Sequence, residues 1–175
     1  MIPRIRLAHL LAPGLAVLFL AAARPDLDNL SDYIRSRYPD VPTVTTSRLA
    51  SQLADPAQPT PVLLDVRSTD EFAVSHLDHA TRIDPDRPVP TAITTLPRDT
   101  LIVTYCSVGY RSAQLADTLI SLGFTNVRNL EGSIFQWANE NRPLVRNDRP
   151  TRAVHPYNAI WGRYLDADLH ASKPD

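Results

Sequence analysis

The sequence predicts an α/β fold built on a mostly parallel five-stranded sheet flanked by helices. Three observations predict it. Residues 61–66 and 101–105 are apolar apart from Asp65 and Thr104 and rich in β-branched or aromatic side chains, the pattern of strands buried on both faces. Helical patterns separate the strand-like runs, and strand alternating with helix argues for parallel pairing. The second run ends at the only cysteine, Cys106, and Arg111 then opens a helical pattern, so strand, tight loop and helix N-terminus follow one another.

Residues 1–23 precede that fold. Arg4 and Arg6 make a positive start, residues 7–20 are mostly apolar, and Ala21, Ala22 and Ala23 match a small-residue cleavage site. His9, Pro13 and Gly14 interrupt the run, which is short for a membrane span. A cleaved secretory signal, with export to the periplasm, is therefore preferred over an anchor at residues 7–23. One cysteine in an exported chain excludes an internal disulfide and leaves Cys106 free for chemistry or for pairing with another molecule. Of 18 basic residues Arg4 and Arg6 leave with the segment, so 16 remain against 19 acidic ones. Nothing in that balance, or in the 43% apolar and 21% charged content, suggests a nucleic-acid partner.

Residues 24–42 hold a short helix, with Leu27, Leu30, Ile34 and Tyr38 near helical spacing, expected to pack on the outside of the domain. Residues 41–45 read as a first strand, and Ser47 as the cap of a helix running to Ala54. After the strand at 61–66, Ser68 and Glu71 form a capping box, which makes Glu71 structural. Residues 80–83 read as a short strand, 91–96 as a helical turn, 126–130 as a strand and 133–141 as a helix carrying Phe135 and the packing residue Trp137. Residues 146–152 read as a charged linker. In 154–165 the i, i+4, i+7 spacing of Tyr157, Trp161 and Tyr164 predicts one helix face that docks back on the domain; a protein partner or a membrane surface is the alternative. The domain proper spans 43–146, and 147–175 is a tail.

The chemistry gathers at Cys106. Behind it, Ala113, Leu115, Ala116, Leu119, Ile120 and Leu122 make a helix face that Gly123 ends. The sulfur thus falls at the positive end of a helix, where loop N–H groups can converge as an anion nest and favour a thiolate. A lone cysteine at a strand end is otherwise a small buried hydrophobe. Gly109, suited to a curled backbone, and the cation Arg111 tip the reading toward a reactive thiol. Asp65 at its strand end reads as a hydrogen-bonded structural carboxylate, and Arg67 stands four residues from Glu71, a salt-bridge spacing. His76 and His79 lack a third ligand, so neither metal nor cofactor is expected. Four residues separate Cys106 from Arg111, one fewer than a phosphatase loop needs to encircle phosphate; the smaller ring suits a single sulfur atom.

The stretch Cys106-Ser107-Val108-Gly109-Tyr110-Arg111-Ser112 resembles the active-site loop of single-domain rhodaneses, which are sulfurtransferases. Leu63-Leu64-Asp65-Val66-Arg67, with Glu71-Phe72 and His76-Leu77-Asp78-His79-Ala80, is similar to the family's first signature; Asp78 and His79 depart from it. Leu130-Glu131-Gly132-Ser133-Ile134, Trp137 and Pro143-Leu144-Val145 resemble its closing signature. The resemblance spans residues 43–146 and implies a rhodanese-like three-layer fold. It implies that Cys106 takes the outer sulfur of a donor such as thiosulfate, holds it as a persulfide, and yields it to a thiol or cyanide. Ser107, Val108, Gly109, Tyr110 and Arg111 would bind substrate, and Arg67 would face the pocket. His76 takes a structural place near the site. Val108 stands where some thiosulfate-using relatives carry a cation, which implies that thiosulfate is a poor donor here. The alternative is a non-catalytic sulfur-carrying or sensing module that acts with a partner protein.

Overall fold

The run with the strongest strand signal lies at the middle of the sheet. In the computed structural model, which describes residues 25–171, all four residues of β4 (Ile102–Tyr105) are buried. The expected signal segment lies outside the described residues. Ahead of β4 come α1 (Leu27–Arg37), β1 (Thr43–Val44), α2 (Thr46–Ala54), β2 (Val62–Asp65), α3 (Thr69–Val74), β3 (Thr81–Arg82) and α4 (Thr91–Thr94). After it come α5 (Tyr110–Ser121), β5 (Val127–Leu130), α6 (Ser133–Asn139), β6 (Leu144–Arg146) and β7 (Arg149–Thr151). Strands β1 to β5 pair in the order β1-β5-β4-β2-β3, every pair parallel, so the expected α/β fold with a five-stranded parallel sheet is what forms.

Strand alternation divides the core in two. Val103 and Tyr105 enter one cluster with Leu49, Ile134, Phe135 and Trp137, whereas Ile102 and Cys106 enter the other with Leu115, Ala116, Leu119 and Phe124. Helices α2 and α6 therefore cover one face and α5 the other. Helix α5 ends in a Schellman motif, with Gly123 at φ 93° and the Phe124 and Gly123 N–H groups donating to the Leu119 and Ile120 carbonyls.

Three local expectations are corrected. Thr45, not Ser47, caps α2, its hydroxyl accepting the Arg48 N–H at 3.2 Å; Ser47 already lies inside the helix. The supposed linker at 146–152 is a hairpin of β6 and β7, turned by Asn147 and Asp148, both left-handed at φ 50° and 58°, as a type I′ turn requires. Residues 154–165 form no α-helix. Tyr157 sits at φ 63°, which breaks helical continuation, and the segment closes in 3-10 turns at Trp161–Tyr164 and Ala167–Leu169. It packs back on the domain nonetheless, with Val154, Leu165 and Leu169 buried in the first cluster. Among the described residues no helix is long and apolar enough to cross a membrane.

Candidate active site

Parallel strands aim their carboxyl ends at one edge, and the loops after β2, β4 and β5 meet there. Cys106 follows β4 directly. The start of α6 holds the loop it opens: the Ile134 and Phe135 N–H groups donate to the Cys106 and Ser107 carbonyls at 3.2 and 3.1 Å. The Ser133 hydroxyl accepts the Cys106 N–H at 3.2 Å. In a trans peptide the N–H points opposite the C=O, so the Ser107 and Val108 N–H groups face away from α6.

The loop then curls at Gly109, whose φ of 110° suits glycine. That curl brings the Gly109 N–H to 3.2 Å from Cys106 Sγ, at the N-terminus of α5. Asn129 on β5 fixes the curl, its amide donating to the Gly109 carbonyl at 3.0 Å while its oxygen accepts the Ser112 hydroxyl at 2.7 Å.

Glu71 ties the loop to the β2 side. Its Oε1 accepts the Ser107 hydroxyl at 2.7 Å and Arg111 Nη2 at 2.9 Å, and its Oε2 accepts Arg111 Nη1 and the Ser68 N–H. The capping box with Ser68 is present as well. Burial alone would push the Glu71 carboxyl up, but Arg111, Ser107 and Ser68 favour the carboxylate and bring its pKa down to about 2. For Arg111, burial opposes the charge while Glu71 and Cys106 outweigh it, leaving its pKa above the usual value.

Arg67 does not face the pocket, nor does it pair with Glu71. It is fully buried, with Nε 2.9 Å from Asp65 Oδ1, Nη2 2.6 Å from Asp65 Oδ2, and Nη2 donating to the Ser75 carbonyl. Two residues along an extended chain end place both side chains on one side of the sheet, so Asp65 reaches the guanidinium first. Burial disfavours its charge, and Asp65 more than restores it. His76 stacks on Phe72 with centroids 4.0 Å apart and bridges Val145 through its backbone. Both are structural neighbours of the site, as is Asp65.

Above the loop lies a cavity of about 360 Å³. Cys106, Ser107 and Val108 line it, joined by Tyr110 and Arg111 from α5. Cys106 is only 1% exposed, so its sulfur is not an open surface thiol. The remaining lining was not anticipated: Leu30 and Tyr33 come from α1, which was expected merely to cover the outside, and Tyr157 and Trp161 come from the tail. The Arg111 guanidinium lies 4.9 Å from the centroid of the Tyr157 ring. Asn129 and Ser133 were also missed, although a polar residue inside the strand run 127–130 was a visible signal.

The family model described as "Rhodanese-like domain" matches residues 45–140. A sulfurtransferase of Allochromatium vinosum is 31% identical over 102 residues, covering 58% of this chain and 92% of that protein. The "Probable adenylyltransferase/sulfurtransferase MoeZ" of Mycobacterium tuberculosis is 34% identical over 83 residues, 46% of this chain but only 21% of that longer protein. Among solved structures, a rhodanese-related protein of Thermoplasma volcanium aligns with a TM-score of 0.51 at 25% identity, covering 59% of this chain and 97% of that one.

Proposed function

The chain belongs to the rhodanese-like domain family, and from that premise we propose that it is a sulfurtransferase carrying sulfane sulfur on Cys106. The Cys106 thiolate attacks the outer sulfur of a donor such as thiosulfate. The new S–S bond forms as the donor's S–S bond breaks, and sulfite leaves with the electron pair. A thiol or cyanide then takes the outer sulfur and restores the thiolate, a ping-pong sequence.

One observation carries this reading: Cys106 Sγ, at a helix N-terminus and lining a cavity, receives the Gly109 N–H at 3.2 Å. A donor of that kind, aimed at the reacting sulfur, stabilises negative charge on the transferred sulfur. Arg111 lines the same cavity, and its ion pair with Glu71 holds it beside the loop. The test is mass spectrometry of the full chain after incubation with thiosulfate or inorganic polysulfide. One sulfur added on Cys106, released by cyanide and absent in Cys106→Ala, is expected. Failure of every donor to add sulfur overturns the reading.

A further inference from the structure

Resting on the sulfur-transfer reading, we infer that the cavity above Cys106 selects for an apolar body: its substrate class is an organic hydropersulfide bearing an arylalkyl group. Three features point there. A volume of about 360 Å³ falls in the range of small-molecule pockets, roughly 300–1,000 Å³, and a small inorganic dianion would leave most of it unfilled. Its lining includes Leu30, Tyr33, Tyr157 and Trp161, aliphatic and aromatic surface that gains by covering a carbon skeleton. Tyr33 and Tyr157 remain 57% and 47% exposed, so their rings still have surface to bury against a ligand.

Charge gives the third. Among the described residues Arg111 is the one charged side chain lining the cavity, and the Glu71 carboxylate already neutralises it through two hydrogen bonds. Arg67 is buried against Asp65 and does not line the cavity. A dianion would therefore shed water without finding an unmatched positive charge. A hydropersulfide carries at most one negative charge, on the terminal sulfur, and the Gly109 N–H stands where that atom reacts. In the step itself, the Cys106 thiolate bonds to the terminal sulfur of R–S–SH. The donor S–S bond breaks, R–S⁻ leaves with the electron pair and takes a proton from water, and Cys106 becomes the hydropersulfide. No external oxidant or reductant enters.

The experiment compares phenylmethyl hydropersulfide with cysteine hydropersulfide on the full chain, reading the rate of sulfur addition to Cys106 by mass spectrometry. The two share a reacting head and differ in the body. The phenylmethyl donor is expected to load at least about tenfold faster, the scale of discrimination that a few buried carbons provide. Tyr33→Ala, which trims an exposed ring and spares the core, and Trp161→Ala should each reduce that ratio about threefold or more. A ratio near one, or a ratio indifferent to both variants, overturns the selectivity while leaving sulfur transfer intact. No loading by either donor or by inorganic polysulfide overturns sulfur transfer itself.

Discussion

Arg111 and Glu71 meet across forty residues of chain, with Nη2 2.9 Å from Oε1 and Nη1 3.1 Å from Oε2. The pairing joins the start of α5 to the start of α3 and fixes the Cys106 loop between them. It also commits the cavity's cation to the protein itself.

The pair has a signature in acid. The folded Glu71 carboxyl titrates at about 2 against an ordinary 4.5, so its stabilisation is complete above the ordinary value and fades as pH falls toward 2. The difference amounts to about 3 kcal/mol at neutral pH. Glu71→Gln should begin less stable at pH 7, and the gap to wild type should close on acidification. Urea unfolding at several pH values reads this, and a gap constant down to pH 2 would contradict it.

Arg67 should behave as scaffold. Asp65→Ala leaves a guanidinium at 0% exposure without its partner, a loss of about 3–5 kcal/mol. Arg67 Nη1 has no hydrogen-bond partner among the described residues, so the charged pair is imperfectly satisfied. The double variant Asp65→Leu, Arg67→Met should therefore recover most of the lost stability, and its Cys106 loading rate should match wild type. Slowed loading in a well-folded double variant would return Arg67 to the site.

Gly109→Ala separates backbone from packing. An added Cβ finds its nearest neighbours at 3.5 Å, ordinary contact, so the expense is the φ of 110° alone. About 1–3 kcal/mol of strain should appear in unfolding measurements. Relief of that strain moves the Gly109 N–H off Sγ, so sulfur loading should slow more than about tenfold. Unchanged loading would mean that this amide contributes nothing to the reacting sulfur.

The tail is a structural part of the domain. Leu169 is 2% exposed, and Leu169→Ala should lower stability by about 2–5 kcal/mol. A loss below about 1 kcal/mol, seen by thermal or urea unfolding, would show that the tail packs loosely.

What the sequence made legible follows the range of the forces involved. The sheet was readable because burial on both faces writes a continuous apolar run, as at Ile102–Tyr105. The cap of α3 was readable because Ser68 and Glu71 satisfy each other within one turn. The Cys106 loop was readable from its neighbours in the chain. Arg67 was not, because i, i+4 spacing says nothing of a buried carboxylate two residues back at a strand end. The tail misled by its spacing: Tyr157, Trp161 and Tyr164 fit a helix face, but Tyr157 takes φ 63° in a tight local turn, its N–H donating to His155 Nδ1 and the Asn158 N–H to the Pro156 carbonyl, which apolar spacing does not signal. The asparagine–aspartate pair between β6 and β7 was a turn signal passed over for its charge.

The reacting loop belongs to the sheet, while the surfaces facing it come from chain before and after the family-matched span, 45–140. Chemistry and taste in this protein are thus separable inheritances. Side chains at positions 33 and 161 can drift, retuning which molecules are admitted, while the sulfur keeps its amide and its helix. A chimera given another domain's flanks should keep its own pace and adopt its donor's diet.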